Sequence, residues 1–241
     1  MTLIALACGP ASAQTVDPVL KAPSIGEILK DVPHDLWNFF SWDTAMVLGI
    51  GGGAALAVHP WDDNFAQEVE TSVRLNDAMA PGKTVGAFGI QALFGVALYS
   101  TGSIARKGRL AQTGADILRA QLLSQAYVQT LKYTVQRERP DKSNDVSFPS
   151  GHSATAFAAA SVLERHFGYR ASWPMFLIAG YVSASRITDN RHFMSDVLFG
   201  AALGMASGWT VVGRHGRSSY TWMPVKTPGG MAIVVAHGGR P

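Results

Sequence analysis

Apolar residues in this chain are gathered into long blocks and do not alternate with polar residues as they would in a half-buried strand. Four of these blocks contain no charged residue, and they cover residues 44–58, 84–105, 171–185 and 197–213. Only residues 84–105 clearly reach the roughly 20 residues that a bilayer-spanning helix needs. The pattern predicts an all-α protein that is associated with a membrane.

Proline, glycine and clusters of charge divide the chain into helical stretches. We predict a six-helix bundle, with helices at about 43–58, 85–104, 112–137, 151–166, 172–187 and 194–213. On the last helix, Gly200, Gly204 and Gly208 recur every fourth residue, which allows a neighbouring helix to approach closely. Such a series is typical of membrane bundles, and tight packing in a soluble bundle explains it equally well.

The two ends of the chain differ from this bundle. Residues 1–13 contain a short apolar run before Ala11-Ser12-Ala13, as a secretory signal would, although the positive residues that open such a signal are missing. Residues 15–42 are mixed and aromatic, which suits an interfacial segment. We predict that the bundle covers residues 43–217. At 218–241, two β-prone runs flank a Pro-Gly-Gly turn and predict a β-hairpin.

Composition and charge narrow the possible functions. The chain has 241 residues, of which 47% are hydrophobic and only 15% charged, which suits one domain with a sizeable core. The formal net charge is +3, and the basic residues are scattered along the chain, so we expect no nucleic-acid partner. Cys8 is the only cysteine. Removal of a signal that contains it would exclude both a disulfide framework and a cysteine metal site.

The first candidate motif is Pro149-Ser150-Gly151-His152, at the start of an Ala-rich helix. The first backbone N–H groups of a helix have no partner inside it, so they can bind an anion. Gly151 lets the anion come close, and His152 can donate a proton to the group that leaves it. Taken alone, a capped helix with an incidental histidine is the simpler interpretation.

A second motif lies upstream and ends at Pro140. Lys132 and Arg139 are seven residues apart, so they project from nearly the same face of a helix. Pro140 disfavours helical geometry at Arg139 and ends the helix there. Alone, this is a basic helix terminus that complements the helix dipole, and we assign Arg137, which lies off the shared face, to that role.

A third motif lies downstream and ends at Asp196. Asp189-Asn190 predicts a turn, after which His192 and Asp196 stand at positions i and i+4 of a helix. The carboxylate can then accept a hydrogen bond from one imidazole nitrogen and leave the other with a free lone pair, which orients a histidine as a nucleophile or a ligand. Arg186 adds a cation before the turn. A surface His–Asp pair is the simpler alternative.

Together the motifs K-x6-R-P, P-S-G-H and S-R-x5-H-x3-D, in this order, resemble the signature of the type 2 phosphatidic acid phosphatase and vanadium haloperoxidase superfamily. All 11 fixed positions match, and the resembling region runs from about residue 85 to residue 213. The resemblance implies the helical bundle of that superfamily and, in its phosphatase branch, phosphate ester hydrolysis. Residues 1–42 and the predicted hairpin lie outside it.

The resemblance also implies a mechanism. His192 would attack phosphorus and become transiently phosphorylated, while Asp196 holds the tautomer of His192. His152 would protonate the leaving oxygen and then activate water. The phosphate oxygens would be held by Lys132, Arg139, Ser150, Gly151 and Arg186. Three cations can neutralise the charge that magnesium neutralises in other phosphatases, so we expect no metal and no other cofactor.

We expect the substrate to be a lipid-linked phosphate monoester or diphosphate, because all three motifs lie at the ends of apolar helices. Three alternatives stay open. A soluble periplasmic acid phosphatase would use the same residues on a small ester. A vanadium haloperoxidase would hold vanadate on His192, although that family is usually much longer. A non-catalytic membrane protein would keep the fold without the reaction.

The charge of the loops predicts which side of the membrane the active site faces in a bacterial cell envelope. If six helices span the membrane, all three motifs share one face, and the basic loops 105–110, 164–170 and 213–217 share the cytoplasmic face. The active site would then face the periplasm. This topology places both termini in the cytoplasm, which conflicts with a cleaved signal. Either the signal is retained, or fewer helices span, or the protein is soluble.

Overall fold

The computed structural model describes residues 21–70, 73–213, 218–227 and 230–239. Its helices are α1 (Ile25–Asn38), α2 (Trp42–Val58), α3 (Asp62–Glu70), α4 (Val73–Val85), α5 (Phe88–Ile104), α6 (Gly108–Val135), α7 (Gly151–Phe167), α8 (Tyr169–Thr188) and α9 (Met194–Val212). A 3₁₀ turn, His59–Trp61, joins α2 to α3. The possible signal at residues 1–13, with Cys8, lies outside the described residues.

The six predicted helices are present as α2 and α5 to α9, but the prediction of six is wrong, because the described residues also form α1, α3 and α4. Helix α1 lies in the segment predicted to be interfacial and begins with a capping box. In this box Glu27 N donates to Ser24 Oγ at 3.3 Å and Ser24 N donates to the Glu27 carboxylate at 2.6 Å. Helices α3 and α4 have no long apolar block in their sequence, which is why the hydrophobic pattern did not predict them.

The prediction that the glycines of α9 let a neighbour approach closely is confirmed, and the neighbour is α7. A Cβ atom on Gly204 would lie 2.2 Å from the carbonyl oxygen of Ala154, and one on Gly200 would lie 2.5 Å from that of Ser150. Only glycine fits such contacts with another backbone. The close packing of α7 and α9 brings the start of α7, with its Pro-Ser-Gly-His motif, next to the start of α9.

The apolar helices serve two different purposes. Among the described residues, the segments 42–68 and 194–212 are long and apolar enough to cross a membrane, and 77–85 with 88–104 would form a third span that is bent by 56°. The most apolar part of 194–212 is 72% buried inside the protein, whereas that of 42–68 is only 17% buried. Helix α9 therefore belongs to the core, while the exposed apolar surface of α2 indicates membrane association.

Beyond the bundle, residues 218–227 and 230–239 form two strands, β1 (Ser218–Thr227) and β2 (Gly230–Gly239). They pair antiparallel, with Ser218 opposite Gly239 and Thr227 opposite Gly230.

Candidate active site

The three motifs meet in one pocket of about 230 Å³ at one end of the bundle. Its lining residues are Gly86, Phe88, Gln125, Gln129, Lys132, Arg139, Gly151, His152, Arg186 and His192. Six of the eight predicted site residues therefore face a common space, although they come from α6, α7, α8 and the loops that follow α6 and α8. The other two, Ser150 and Asp196, are fully buried outside the lining.

Ser150 was expected to hold the phosphate, and its position does not fit that expectation. It is the N-cap of α7, and its hydroxyl oxygen accepts a hydrogen bond from Ser153 N at 3.5 Å. The contribution of Ser150 is to fix the start of α7, so that Gly151 and His152 present their first-turn positions to the pocket.

Lys132 and Arg139 both reach the pocket, but not from one helix face as predicted. Helix α6 ends at Val135 because Gln136 adopts a left-handed conformation, with φ of 47°. Arg139 therefore comes from the loop, where its backbone N–H donates to Asn144 O at 3.0 Å. Lys132 stays on the last turn of α6, and its ammonium group donates to Val146 O of the same loop.

His192 and Asp196 are close together, but they do not lie on one helix as predicted. His192 precedes α9, and Asp196 lies in the first turn of that helix. The distance from His192 Nδ1 to Asp196 Oδ2 is 3.8 Å, which is an ion-pair distance and too long for a hydrogen bond. Asp196 Oδ2 accepts instead from Phe193 N at 2.9 Å and from the Ser147 hydroxyl at 2.5 Å.

Several buried donors of the pocket have no hydrogen-bond partner among the described residues. They are Arg139 Nε, the Nε and Nη1 atoms of Arg186, and His192 Nδ1. Buried polar groups are nearly always paired, so the unpaired guanidinium nitrogens of two arginines beside a histidine call for a ligand. The ligand that suits these donors is an anion with several oxygen atoms.

Burial and neighbouring cations lower the pKa values of three groups in the pocket. The pKa of His192 falls to about 4, mainly through burial, with Lys132 and Arg139 adding to the effect and Asp196 opposing it. Burial together with Arg186 and His192 lowers the pKa of His152 to about 4. Burial and Arg139 lower that of Lys132 to about 8. Both histidines are therefore neutral at pH 7 in the absence of an anion.

The bend between α4 and α5 holds His152 in place. The imidazole of His152 packs against Gly86, where an added Cβ atom would lie 3.2 Å from His152 Cδ2. Gly86 lies in the bend, where its carbonyl oxygen accepts from Thr155 Oγ1 at 3.2 Å. Sequence reasoning missed this bend as part of the site, because neither its glycine nor Phe88 belongs to a motif.

Two glutamines of α6 were also missed. Gln125 Nε2 donates to Gly151 O at 3.3 Å, and Gln129 Nε2 donates to Gln125 Oε1 at 3.3 Å. A sequence signal for them exists, because Gln125, Gln129 and Lys132 follow the i, i+4, i+7 spacing of one helix face. They add neutral amide groups to a pocket that is otherwise cationic.

Comparison with known proteins agrees with this geometry. The family model described as PAP2 superfamily matches residues 114–219, which hold all three motifs. This region of the chain is similar to the PAP2 superfamily. The resemblance on which the site residues were predicted is thereby confirmed at the level of the family.

Two curated relatives of this chain are named for lipid phosphates. A lipid A 1-phosphatase of Porphyromonas gingivalis is 48% identical over 82 residues, which are 32% of this chain and 18% of the relative. A putative phosphatidate phosphatase of Drosophila melanogaster is 32% identical over 99 residues, which are 35% of this chain and 26% of the relative. The chain therefore spans about a quarter or less of the length of these relatives.

Two solved structures share the fold. The transmembrane PAP2 type phosphatidylglycerolphosphate phosphatase of Bacillus subtilis matches 71% of this chain and 93% of its own, with a TM-score of 0.58 and 25% identity. LpxE of Aquifex aeolicus matches 62% of this chain and 93% of its own, with a TM-score of 0.52 and 24% identity. The likeness supports the helical bundle and not the C-terminal hairpin.

Proposed function

We propose that this chain is a metal-independent phosphatase of the PAP2 type that hydrolyses a lipid-linked phosphate through a phosphorylated His192. The observation that carries the proposal is the set of unpaired cationic donors that surround a buried, neutral histidine. A phosphate group supplies the negative oxygen atoms that these donors lack, and a neutral imidazole has the lone pair that attacks phosphorus.

In the first step, a nitrogen of His192 forms a bond to phosphorus as the bond to the leaving oxygen breaks. Lys132, Arg139 and Arg186 neutralise the charge on the phosphate oxygens. The substrate anion raises the pKa of the neighbouring His152, so that this residue is protonated in the complex and donates its proton to the leaving oxygen. In the second step, His152 takes a proton from water, the water oxygen bonds to phosphorus, and His192 is released.

A lipid substrate is supported by the surface beside the pocket. Phe88 lies both on the pocket wall and at the start of α5, where Ile90 and Leu93 are 45% and 62% exposed. A lipid whose phosphate occupies the pocket would lay its chain along this apolar face. The names of the curated relatives, lipid A 1-phosphatase and putative phosphatidate phosphatase, agree with a lipid substrate.

We expect the pocket to face the periplasm, because the basic loop between α5 and α6 lies at the opposite end of α5 from the pocket. In intact cells with Cys8→Ser as background, an impermeant thiol reagent should label Ser143→Cys and leave Lys107→Cys unlabelled. The reverse pattern would contradict this orientation.

His192→Ala tests the covalent mechanism directly. We expect turnover to fall below detection without loss of the fold, and we expect acid-labile phosphate from labelled substrate to be trapped on His192, most readily in His152→Ala. Activity of the unaltered chain should survive EDTA. The matched control is His34→Ala on α1, which should leave activity unchanged. Robust turnover by His192→Ala, or a requirement for magnesium after EDTA, would contradict the mechanism.

The lipid preference is tested with a series of phosphate esters of increasing acyl length in mixed micelles at fixed surface concentration. We expect kcat/KM to rise along the series, since each buried methylene contributes about 0.8 kcal/mol. A flat series, or faster turnover of p-nitrophenyl phosphate than of every lipid, would identify a phosphatase of small soluble esters instead.

A further inference from the structure

Arg137 lies between two buried carboxylates next to the pocket. Its Nη1 atom is 2.6 Å from Asp196 Oδ1, and its Nη2 atom is 2.8 Å from Asp62 Oδ2. Neither aspartate is more than 2% exposed. The guanidinium also packs over the ring of Phe193, 4.2 Å from its centroid. This arginine is therefore no solvated helix terminus, as the sequence suggested, but the centre of a carboxylate–guanidinium–carboxylate bridge.

Asp62 extends the bridge to the start of α9. Its carboxylate accepts from Ser195 N at 3.0 Å and from the Ser195 hydroxyl at 2.5 Å. It also lies 3.0 Å from His59 Nδ1. Asp62 opens α3, in a part of the chain that precedes the matched region 114–219. The bridge thus joins the start of α3 to the helix that carries Asp196.

We propose that Arg137 and Asp62 are positioning residues for phosphoryl transfer, which hold Asp196, and through it His192, in the reactive arrangement. The proposal rests on the proposed function of the pocket. Two buried carboxylates stay ionised side by side because the guanidinium between them supplies a hydrogen bond and half of the compensating charge to each.

The bridge acts on His192 in two ways. It fixes the carboxylate of Asp196 mechanically, since three donors surround it: Arg137 Nη1 on Oδ1, and Ser147 Oγ and Phe193 N on Oδ2. It also acts electrostatically, because the cation behind Asp196 weakens the negative potential that Asp196 exerts on His192. The other charged or titratable groups at the His192 side of the pocket are Lys132 from α6, Arg139 from the loop, His152 from α7 and Arg186 from α8.

Arg137→Met separates this proposal from a purely structural role. We expect kcat per folded enzyme to fall by about 10- to 10²-fold, since misplacement of a reacting group by about 1 Å has effects of that size. KM should change by less than about threefold, because Arg137 does not line the pocket. Loss of the cation leaves Asp196 more effective at stabilising protonated His192, so the acidic limb of kcat/KM should move to higher pH.

Two further variants keep the test decisive if Arg137→Met folds poorly. Arg137→Lys keeps the positive charge, but an ammonium group cannot donate to both carboxylates in the geometry of a planar guanidinium. We therefore expect kcat to fall while the acidic limb of kcat/KM stays at the same pH. Asp62→Asn removes an anion on the far side of Arg137, so kcat should fall while the acidic limb stays or moves to lower pH. The matched control is Arg119→Met, since Arg119 is also a buried arginine between aspartates. It should lower stability without moving the pH profile.

Wild-type kcat and an unmoved pH profile in both Arg137→Met and Asp62→Asn would overturn the proposal. A readout without turnover distinguishes this result from failure of the proposed function. The imidazole of His192, followed by NMR during pH titration of the detergent-solubilised chain, should titrate at higher pH in Arg137→Met than in the wild type. If no phosphate ester is hydrolysed but this shift is present, the proposed function fails and the bridge stands. An unshifted titration would contradict the bridge.

Discussion

Two clusters of buried charge lie about 20 Å apart along α6, and they differ in whether their charges are paired inside the chain. The first surrounds Arg119. Its Nε and Nη2 atoms donate to Asp35 at 2.8 and 2.7 Å, and its Nη1 atom donates to Asp116 at 3.2 Å. Asp116 also lies 2.8 Å from His166 Nε2 on α7. This network fixes α1 and α7 to α6.

The second cluster is the pocket. Arg186 and Lys132 are 4% and 7% exposed, close to the 5% of Arg119. Yet two nitrogens of Arg186 have no partner among the described residues, while all three nitrogens of Arg119 have one. Burying an unpaired cation lowers stability, and a cluster of such cations is typical of a functional site. Charges paired within the chain stabilise the fold, whereas unpaired ones prepare the site for an anion.

The largest effect that sharpens this comparison comes from replacing one arginine of each cluster by methionine. Arg186→Met should lower kcat by about 10²- to 10³-fold, because it removes a proposed donor to the transferred phosphate. Its free energy of unfolding should change little, since Nε and Nη1 have no partner and Nη2 pairs only with the half-exposed Asp189, at 3.0 Å. Arg119→Met should lower the free energy of unfolding by about 3–5 kcal/mol, because Asp35 and Asp116 lose their counter-charge.

Denaturant unfolding in detergent and turnover per folded molecule measure these two effects separately. The proposed division between a stabilising cluster and an anion-binding cluster would be contradicted if Arg186→Met unfolds more easily than Arg119→Met. It would also be contradicted if Arg119→Met lowers turnover per folded molecule as strongly as Arg186→Met does.

Sequence reasoning predicted the parts of this site that local pattern determines. The six predicted helices follow from apolar blocks and from the proline, glycine and charge clusters that bound them, and the motif residues Lys132, Arg139, Gly151, His152, Arg186 and His192 meet as expected. Their common location was predictable because each motif lies at the end of an apolar helix. The roles of these residues in catalysis stay predictions.

What the sequence did not predict depends on contacts between distant residues. Arg137 was assigned to a solvated helix end, because its partners Asp62 and Asp196 are 75 and 59 residues away. His192 and Asp196 were placed on one helix by their spacing, but the turn after α8 continues to Phe193 and α9 begins only at Met194. Ser150 was expected in the pocket because cap residues and phosphate ligands are the same residue types, and only its packing against α9 separates the two roles.

A second prediction uses pH to test the unpaired cluster. Protonation of His192, whose pKa is about 4, removes its lone pair, so kcat/KM should fall about tenfold per unit below that pH. Deprotonation of Lys132, whose pKa is about 8, removes a cation, so kcat/KM should also fall above pH 8. Stopped assays from pH 3.5 to pH 10 in a constant ionic-strength buffer measure both limbs. A profile that stays flat from pH 7 to pH 10 would exclude Lys132 as a required cation.

The same groups affect stability with a defined sign. The folded-state pKa values of His152 and His192, about 4, lie below their ordinary value of 6.5, so the unfolded chain binds more protons between these limits. The free energy of unfolding should therefore decrease as the pH falls from about 6.5 to about 4. Replacing either histidine by alanine should make this decrease smaller, which denaturant unfolding at several pH values would detect.

The smallest expected effect is that of an anion on the stability of the intact chain, and it tests the comparison without catalysis. Orthovanadate adopts the shape of the phosphoryl-transfer transition state, so it should bind the unpaired donors and inhibit at low concentration. At 100 times its dissociation constant it should raise the free energy of unfolding by about 2.7 kcal/mol. Arg186→Met should lose most of this gain in stability. Arg119→Met should keep the gain, although the variant is less stable without vanadate, because all three nitrogens of Arg119 are already paired with aspartates and do not bind the anion. Thermal unfolding of the three chains with and without vanadate decides the point, and equal gains in all three would mean that the anion binds elsewhere.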